Sequence, residues 1–254
     1  HFVHHNCMKW QTECGDCPQR NKFIDRSREN FHLKKSLFTV NKHLTIVPCS
    51  EWMGDFVKES FLKDKHIQVI HNGVDLNTFK ILSGYKSCRV EQDLFRIIAV
   101  SNVWSPYKGL FDIFKLRGML SDDYEITMVG LTEEQLKILP TGIRGVTRTQ
   151  NVEELVHLYN EADVLINPTY ADTFPTVNLE ALACGTPVIT YHTGGSPEAV
   201  DARTGVVVEQ GNVDMLAEVI RRMKAQPLFS VDCRKRAEEC FDKDKCFMEY
   251  VRLY

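Results

Sequence analysis

The segment DVLINPTYADTFPTVNLEALACGTPVITY occupies residues 163–191. It begins with an apolar run at 163–167, crosses a polar loop, continues through a helical pattern at 175–184 and ends in a second apolar run at 187–191. Short, nearly all-apolar strands on either side of a helix are typical of a parallel sheet that is covered on both faces. The segment therefore predicts a β-α-β unit of an α/β protein.

The same alternation continues on both sides of this unit. Further apolar runs lie at 96–103, 124–130, 145–149 and 205–209. Helical patterns separate them, at 108–120, 132–139, 151–162 and 213–224. Asn151 followed by Glu154 predicts a capping box at the start of the third of these helices. Together the segments predict a doubly wound, Rossmann-like domain over residues 76–229.

The first 75 residues predict only part of a second α/β domain. Strand patterns at 44–47 and 67–70 flank a helical pattern at 50–62, and a unit of this size buries too little surface to form a stable core. We therefore take residues 1–75 as the remnant of an N-terminal domain and expect chain to be missing upstream. Residues 230–254 predict two final helices, and we expect the aromatic residues of the last one to pack onto the fold.

Composition excludes several classes of protein. The chain has 254 residues, of which 43% are hydrophobic and 26% are charged, with a formal net charge of -3. A globular protein is indicated, and a nucleic-acid partner is not expected because such proteins usually carry a basic excess. No apolar run reaches the roughly 20 residues that span a bilayer, and the first residues show no signal-peptide pattern. We expect a cytoplasmic protein.

The cysteines form two groups. Six of the nine are scattered singly, as expected for reduced cytosolic thiols. Cys7, Cys14 and Cys17 instead form a C-x6-C-x2-C pattern. With His4 or His5 as a fourth ligand these three could hold a structural zinc ion, although a local thiol cluster or a small disulfide is the interpretation we favour.

Two loops of the predicted domain carry side chains suited to a nucleotide. In a doubly wound sheet, ligands bind beyond the carboxyl ends of the strands. The loop after 163–167 carries Asp172 and leads into a helix, on which Glu180 could accept hydrogen bonds from a ribose diol. The loop after 96–103 carries Lys108, which suits a phosphate contact. The first turn of the helix offers unpaired N–H groups for another phosphate, at Phe174, Thr176 and Val177.

Other interpretations of the two carboxylates stay open at this point. Asp172 and Glu180 could be ordinary surface charges, or the acid and nucleophile of a glycosidase. A glycosidase, however, has no need of a helix N-terminus that binds phosphate, so the pattern favours a nucleotide diphosphate pocket. The histidines at 71, 157 and 192 are interpreted as structural.

The pattern Asp172-x7-Glu180 resembles the E-x7-E region of retaining GT-B glycosyltransferases, in the large family four known as glycosyl transferases group 1. Five further segments are similar to that family in order and spacing: VIHNGVD at 69–75, YKGL at 107–110, NVEELVHLYNEADVLINPT at 151–169, TGGSPEAV at 193–200 and TGVVVEQGN at 204–212. The last helix resembles the helix with which the family crosses back to its N-terminal domain.

The resemblance implies that Lys108, Asp172 and Glu180 are the catalytic residues. Glu180 would bind the ribose hydroxyls, Asp172 would face the donor sugar, and Lys108 would neutralise the diphosphate. The remaining donor-binding residues that it implies are Ser105, Gly145, Val146, Arg148, Phe174, Pro175, Thr176 and Val177. The three around 145–148 would lie against the base. No metal and no cofactor is implied.

The substrates follow from the same resemblance. The donor would be a UDP- or GDP-linked sugar, transferred with retention of configuration to a polysaccharide or lipid-linked acceptor, in the synthesis of bacterial lipopolysaccharide or capsule. Such an enzyme works in the cytoplasm or at the inner face of the membrane. The basic helical segment at 26–35 is either a lipid contact or an ordinary solvated face, and we favour the second.

The sequence departs from the family pattern in two places. Asp172 stands where a Glu is usual, and Val103 stands where the family usually has an Arg, five residues before Lys108. The initial strand and glycine-rich loop of the N-terminal domain are absent from this sequence. These departures leave two alternatives open: a truncated module that binds a nucleotide sugar without transferring it, and an enzyme that epimerises the nucleotide sugar.

Overall fold

The computed structural model describes residues 7–18, 25–85 and 94–254. The N-terminal part contains helix α1 (Ser27–Val40), strand β1 (Thr45–Ile46), helix α2 (Glu51–Lys58) and strand β2 (His66–Ile67). The two strands pair in parallel and form a small sheet of their own. Ser50 caps α2, because its side chain accepts a hydrogen bond from the Met53 N–H at 3.2 Å. The strand–helix–strand unit predicted here is confirmed.

Six parallel strands form the main sheet: β3 (Phe95–Val100), β4 (Tyr124–Val129), β5 (Ile143–Val146), β6 (Val164–Asn167), β7 (Val188–Tyr191) and β8 (Gly205–Val208). Their spatial order is β5-β4-β3-β6-β7-β8, and all pairings are parallel. Every residue of β6 and β7 is buried, as expected for strands covered on both faces. The order reverses between β3 and β6, so the predicted doubly wound, Rossmann-like sheet is confirmed.

Helices follow the strands as the sequence predicts: α3 (Leu110–Arg117), α4 (Glu133–Leu136), α5 (Val152–Glu161), α6 (Thr176–Ala183), α7 (Val213–Ala225), α8 (Ser230–Cys240) and α9 (Lys243–Leu253). Asn151 caps α5 by accepting from the Glu154 N–H at 2.8 Å. The other half of the predicted capping box is wrong, because the Glu154 carboxylate accepts from the Gln150 N–H instead. In the described ranges, no helix is long and apolar enough to cross a membrane.

Alternating side chains of the strands build one hydrophobic cluster on each face of the sheet. Ile97 and Ala99 pack with residues of α3 and α7 on one face. Ile98 and Leu165 pack with residues of α5, α6 and α8 on the other. This alternation is the period-2 geometry of a strand, and it fixes the strand ends that carry the site.

The start of the last helix, α9, contacts the first 75 residues of the chain. The Val74 N–H donates to the Phe241 carbonyl at 2.7 Å, and the Lys243 N–H donates to the Val74 carbonyl at 3.1 Å. Further along α9, Phe247 is 60% exposed and Tyr254 is fully exposed, while Cys246 is buried. The expectation that the aromatic residues pack onto the fold is therefore wrong for Phe247 and Tyr254, whereas Tyr250, one turn after Cys246 on the same face, is partly buried.

Candidate functional site

A cavity of about 430 Å³ opens where the strand order reverses, beyond the carboxyl ends of β3 and β6. Loops that leave two adjacent parallel strands in opposite directions leave such a crevice between them. The cavity is lined by Val100, Ser101, Asn102, Val103, Trp104, Lys108, Leu155, Asn167, Asp172, Phe174, Pro175, Thr176, Val177 and Glu180. The structure thus brings together the three predicted catalytic residues and the four residues at the start of the predicted helix.

Lys108 reaches the cavity because two loops approach each other closely. It ends a short 3-10 helix, and the next residue, Gly109, has a left-handed φ of 76°. A Cβ atom on Gly109 would lie 2.3 Å from the Pro168 carbonyl oxygen, so only glycine fits there. The Lys108 ammonium consequently lies 2.6 Å from a carboxylate oxygen of Asp172. The ion pair is partly buried.

A tyrosine cluster supports the loop that carries Asp172. The hydroxyls of Tyr170 and Tyr191 each donate to the same Asp112 carboxylate oxygen at 2.8 Å. The Tyr170 N–H donates to the Tyr107 carbonyl at 2.8 Å, which joins the two loops again. Burial, together with the bond to Asp112, raises the pKa of Tyr170 to about 12, so the phenol stays a donor. Sequence reasoning missed this cluster, whose only local signal is a tyrosine at the end of a strand.

Glu180 lies on α6 at the wall of the cavity. The Tyr159 hydroxyl donates to its carboxylate at 2.9 Å. Burial raises the pKa of Glu180 above its ordinary range, while the hydrogen bonds from Tyr159 and Thr176 act in the opposite direction. Burial also raises the pKa of Tyr159 well above its ordinary value, so this hydroxyl remains protonated. A carboxylate oriented in this way is suited to accept hydrogen bonds from a vicinal diol.

The N-terminus of α6 meets the same cavity. Pro175 is the N-cap residue and forms no side-chain cap, and Thr176 and Val177 follow in the first turn. The first N–H groups of a helix lack intrahelical partners and lie at the positive end of its dipole. A buried amide network holds this end in place: the Asn167 amide donates to Asn178 at 2.9 Å, and Asn178 donates to Ser196 at 3.3 Å.

Charge in the cavity is unevenly distributed. Among the described residues that line it, Lys108 is the one Lys or Arg, whereas Asp172 and Glu180 supply two carboxylates. Val103 also lines the cavity and is 71% exposed. The position where the resemblance leads one to expect an arginine therefore lies at the cavity mouth with room for a long side chain.

Four predicted donor-binding residues lie outside this lining. Ser105 precedes the 3-10 helix, and its carbonyl accepts from the Lys108 N–H at 2.9 Å. Gly145 and Val146 belong to β5, at the edge of the sheet, and Arg148 is exposed in the loop beyond. A Cβ atom on Gly145 would lie 2.3 Å from a Leu136 methyl carbon, so the glycine allows close packing of α4. The role of this edge in holding a base stays a prediction.

The cysteine pattern near the start has no metal-binding geometry in the part of the chain that the structure describes. No group of three or more His, Cys, Asp or Glu residues there could hold a metal ion. Cys7, Cys14 and Cys17 are free thiols, so the small disulfide is not formed. Burial and the neighbouring thiols raise the pKa of Cys14. The zinc alternative gains no support, and the predicted fourth ligands, His4 and His5, lie outside the described residues.

A second cavity of about 430 Å³ lies at the amino ends of the strands, on the opposite side of the sheet from the carboxyl ends that border the first cavity. It is lined by residues at the amino ends of β3, β6 and β7, among them Phe95, Asp163 and Pro187. The Asp163 carboxylate accepts a hydrogen bond from the Arg96 backbone N–H at 2.7 Å. Because ligands of doubly wound sheets bind at the carboxyl ends, the cavity at Lys108 is the candidate site.

Comparison with known proteins points in the same direction. The family described as Glycosyl transferases group 1 matches residues 90–240. The glycosyl transferase WcaC of Escherichia coli K12, named for colanic acid biosynthesis, is 25% identical over 98% of this chain and 63% of its own length. An MMP alpha-(1->4)-mannosyltransferase of Mycolicibacterium hassiacum is 28% identical over 79% of this chain and 51% of its own length.

Solved structures share the fold at low sequence identity. Sucrose-phosphate synthase of Thermosynechococcus elongatus superposes with a TM-score of 0.75 at 20% identity, over 93% of this chain and 63% of that one. Anabaena HepE, in complex with UDP and glucose, superposes with a TM-score of 0.73 at 19% identity, over 89% of this chain and 66% of that one. The fold is of the GT-B type, and this chain covers between 51% and 66% of the length of these four relatives. Since the family match covers more than half of the sequence, the chain belongs to the glycosyl transferases group 1 family.

Proposed function

We propose that this chain is the donor-binding part of a glycosyltransferase that takes a sugar from a UDP- or GDP-linked donor. The acceptor would be a growing polysaccharide or a lipid-linked glycan of the bacterial surface. The observation that carries the proposal is the convergence of Lys108, Asp172, Glu180 and the N-terminus of α6 on one cavity at the switch point of the sheet. The name of WcaC supports a polysaccharide product, and the UDP in HepE supports a uridine donor.

Each residue has a role in the proposed binding mode. The Glu180 carboxylate accepts hydrogen bonds from the ribose diol, while Tyr159 fixes its orientation. The diphosphate lies between the Lys108 ammonium and the N–H groups that begin α6, both of which favour negative charge. Asp172 faces the sugar, and the base extends from the cavity toward Gly145, Val146 and Arg148 at the sheet edge.

Transfer would proceed on one face of the sugar. The bond between the anomeric carbon and the diphosphate oxygen breaks, and its electron pair stays on the diphosphate. The acceptor oxygen bonds to the anomeric carbon from the same face, and its proton passes to the departing phosphate oxygen, which gives retention. Lys108 and the helix N-terminus stabilise the developing charge, so that the step needs no metal and no cofactor.

A location at the inner face of the membrane is part of the proposal. Helix α1 combines the basic residues Lys34 and Lys35 with exposed Leu33 and Leu37. The sequence alone favours a solvated face for this segment, but the exposure of the two leucines beside the lysines supports contact with anionic lipid head groups instead. The acceptor would then reach the cavity from the membrane surface.

A second candidate is a module that binds the nucleotide sugar without transferring it. The observation that favours it is the valine at 103, which leaves Lys108 as the one cation among the described lining residues. Both candidates bind the nucleotide sugar, but only the glycosyltransferase transfers the sugar to an acceptor.

A thermal-shift panel of nucleoside diphosphates and their sugars, with and without EDTA, tests the binding claim. We expect UDP or GDP compounds to raise the melting temperature equally in both conditions. Mass spectrometry and the anomeric proton signal of the product then test transfer and retention. Failure of every nucleoside diphosphate to stabilise the protein would reject the proposal, and binding without donor consumption would favour the module.

A further inference from the structure

A second carboxylate, Glu198, joins the N-terminal part of the chain to the cavity domain. It belongs to the short 3-10 helix Ser196–Ala199, which follows β7. One of its oxygens accepts from the Trp52 N–H at 2.9 Å, and the other accepts from the Glu51 N–H at 2.9 Å. These are the first two residues of α2. The acidic side chain therefore binds the positive end of a helix that lies almost 150 positions earlier in the sequence.

The same carboxylate holds His71. The Nε2 atom of His71 lies 2.9 Å from a Glu198 carboxylate oxygen, and the pair is partly buried. One Glu198 side chain thus has three nitrogen partners, all from the first 75 residues. Its backbone is fixed as well, because the Arg236 guanidinium donates to the Glu198 carbonyl at 2.9 Å and to the Ala199 carbonyl at 2.7 Å.

His71 connects this carboxylate to the cavity wall. The His71 ring packs on the ring of Phe174 with centroids 4.8 Å apart and planes inclined by 31°. Phe174 lines the cavity immediately before α6 and is 3% exposed. Phe241 completes a cluster of three rings, with its centroid 5.8 Å from that of Phe174 and 6.1 Å from that of His71. A shift of the His71 ring would therefore displace Phe174 in the cavity wall, because there is no free space between closely packed rings.

A backbone contact couples the same loop to Asp172. A Cβ atom on Gly194 would lie 1.8 Å from the Asp172 carbonyl oxygen, and one on Gly195 would lie 2.2 Å from the Thr173 carbonyl oxygen. The glycines allow the segment that carries Glu198 to press against the loop that carries Asp172. Glu198 is thus connected to the cavity by two sets of contacts: the packed rings of His71 and Phe174, and the backbone contact of Gly194 and Gly195 with residues 172–173.

We infer that Glu198 is a positioning residue for the donor cavity, which it reaches through His71 and Phe174, and that it ties α2 to the cavity rim. The inference deepens the proposed function and rests on it for the identity of the ligand. The contacts themselves make a claim that does not depend on any ligand: loss of the carboxylate should loosen both the start of α2 and the segment around Phe174.

Amide hydrogen exchange and a UDP titration of the same variants test the inference. For Glu198→Ala we expect exchange at the N–H groups of residues 51–52, and at those of Asn178 and Gly195, to accelerate by about tenfold or more, and the Kd for UDP to rise by about fivefold or more. The N–H groups of Asn178 and Gly195 report on the segment around Phe174, because they donate to the Pro175 and Thr173 carbonyls. The matched control is Asp214→Ala, which removes a surface carboxylate paired with Lys115 at 3.4 Å and should change neither quantity. Glu198→Gln keeps one acceptor oxygen for three donors and should give an intermediate result, even if the alanine variant folds poorly.

His71 variants separate positioning from general loss of structure. His71→Phe keeps a ring against Phe174 and should retain more UDP affinity than His71→Ala. Adding His71→Ala to Glu198→Ala should weaken UDP binding little further, because both substitutions remove the same support of the Phe174 ring. The inference is overturned if exchange accelerates only at 51–52 while exchange at Asn178 and Gly195 and the UDP affinity are unchanged, or if the effects of the two substitutions add. If wild-type protein binds neither UDP nor GDP, the proposed function fails, while the exchange result still decides whether Glu198 positions Phe174.

Discussion

The Lys108 ammonium lies 2.6 Å from the Asp172 carboxylate, although the two residues are 64 positions apart. The pair bridges the loops that leave β3 and β6, the two strands between which the sheet order reverses. In the proposed binding mode, the cation contacts the diphosphate and the carboxylate faces the sugar. Binding of a phosphate would recruit Lys108 away from Asp172 or share it between the two anions.

Replacement of Lys108 by Ala should weaken the binding of UDP or GDP by about tenfold or more, because the cavity loses its one cation among the described lining residues. Calorimetric titration measures the change. Lys115→Ala is the matched control, since Lys115 lies on the adjacent helix α3 and is 57% exposed. Equal affinities for the two variants would contradict the role of Lys108.

The exposed position of Val103 allows a gain of affinity. Val103→Arg should tighten nucleoside diphosphate binding by about fivefold, because a partly exposed charge pair contributes about 1 kcal/mol. Val103→Met adds length without charge and should leave the affinity unchanged. A gain that is equal for the two variants would show that contact area, and not charge, is responsible, and no gain for either would place the diphosphate elsewhere.

Gly109 is required by the close approach of the two loops. Gly109→Ala should destabilise the protein by about 1–3 kcal/mol, since the left-handed φ of 76° and the contact with the Pro168 carbonyl both resist a Cβ atom. Gly118→Ala is the control, because a Cβ atom there would meet its nearest neighbour at 3.4 Å. Urea denaturation compares the two variants, and a similar small effect for both would contradict the packing described here.

Glu180 should lower the stability of the free protein at neutral pH. Burial raises its folded-state pKa above the ordinary value of 4.5, so the charged form is disfavoured in the folded state. Its contribution is therefore most favourable below that value and is lost as the pH rises through the raised pKa. Glu180→Gln should accordingly have a melting temperature close to that of the wild type at about pH 4 and a higher one, by about 2–4 °C, at about pH 7.

Circular dichroism melts across this range measure the difference. Glu153→Gln, which replaces an exposed glutamate of α5 outside the cavity, is the matched control. A variant that is less stable than the wild type at neutral pH would mean that Glu180 is held mainly by favourable hydrogen bonds and not disfavoured by burial.

Much of the fold could be predicted because the strands are short apolar runs with helices between them. The order of such units, together with the rule that ligands bind at the switch point, is enough to bring Lys108 and Asp172 to the same edge of the sheet. The capping box at Asn151 shows the limit of local patterns, because the Glu154 carboxylate accepts from the Gln150 N–H, one residue before the expected Asn151 N–H.

The contacts that the sequence could not reveal are all long-range. Tyr159 meets Glu180, and Asp112 accepts from Tyr170 and Tyr191, because separate helices and strands pack together in a particular register. Glu198 lies within a segment that resembles the family, yet its partners on α2 depend on how the N-terminal part docks. No periodicity or spacing encodes such pairs.

The central claim is that the cavity at Lys108 binds the nucleoside diphosphate of a sugar donor and that Glu180 holds its ribose. Calorimetric titration of UDP and GDP into wild-type protein and Glu180→Ala tests this claim most directly, with circular dichroism to verify that the variant is folded. We expect one of the two nucleotides to bind the wild type and to lose about tenfold or more in affinity for the variant. Unchanged affinity for the nucleotide that binds would contradict the site assignment.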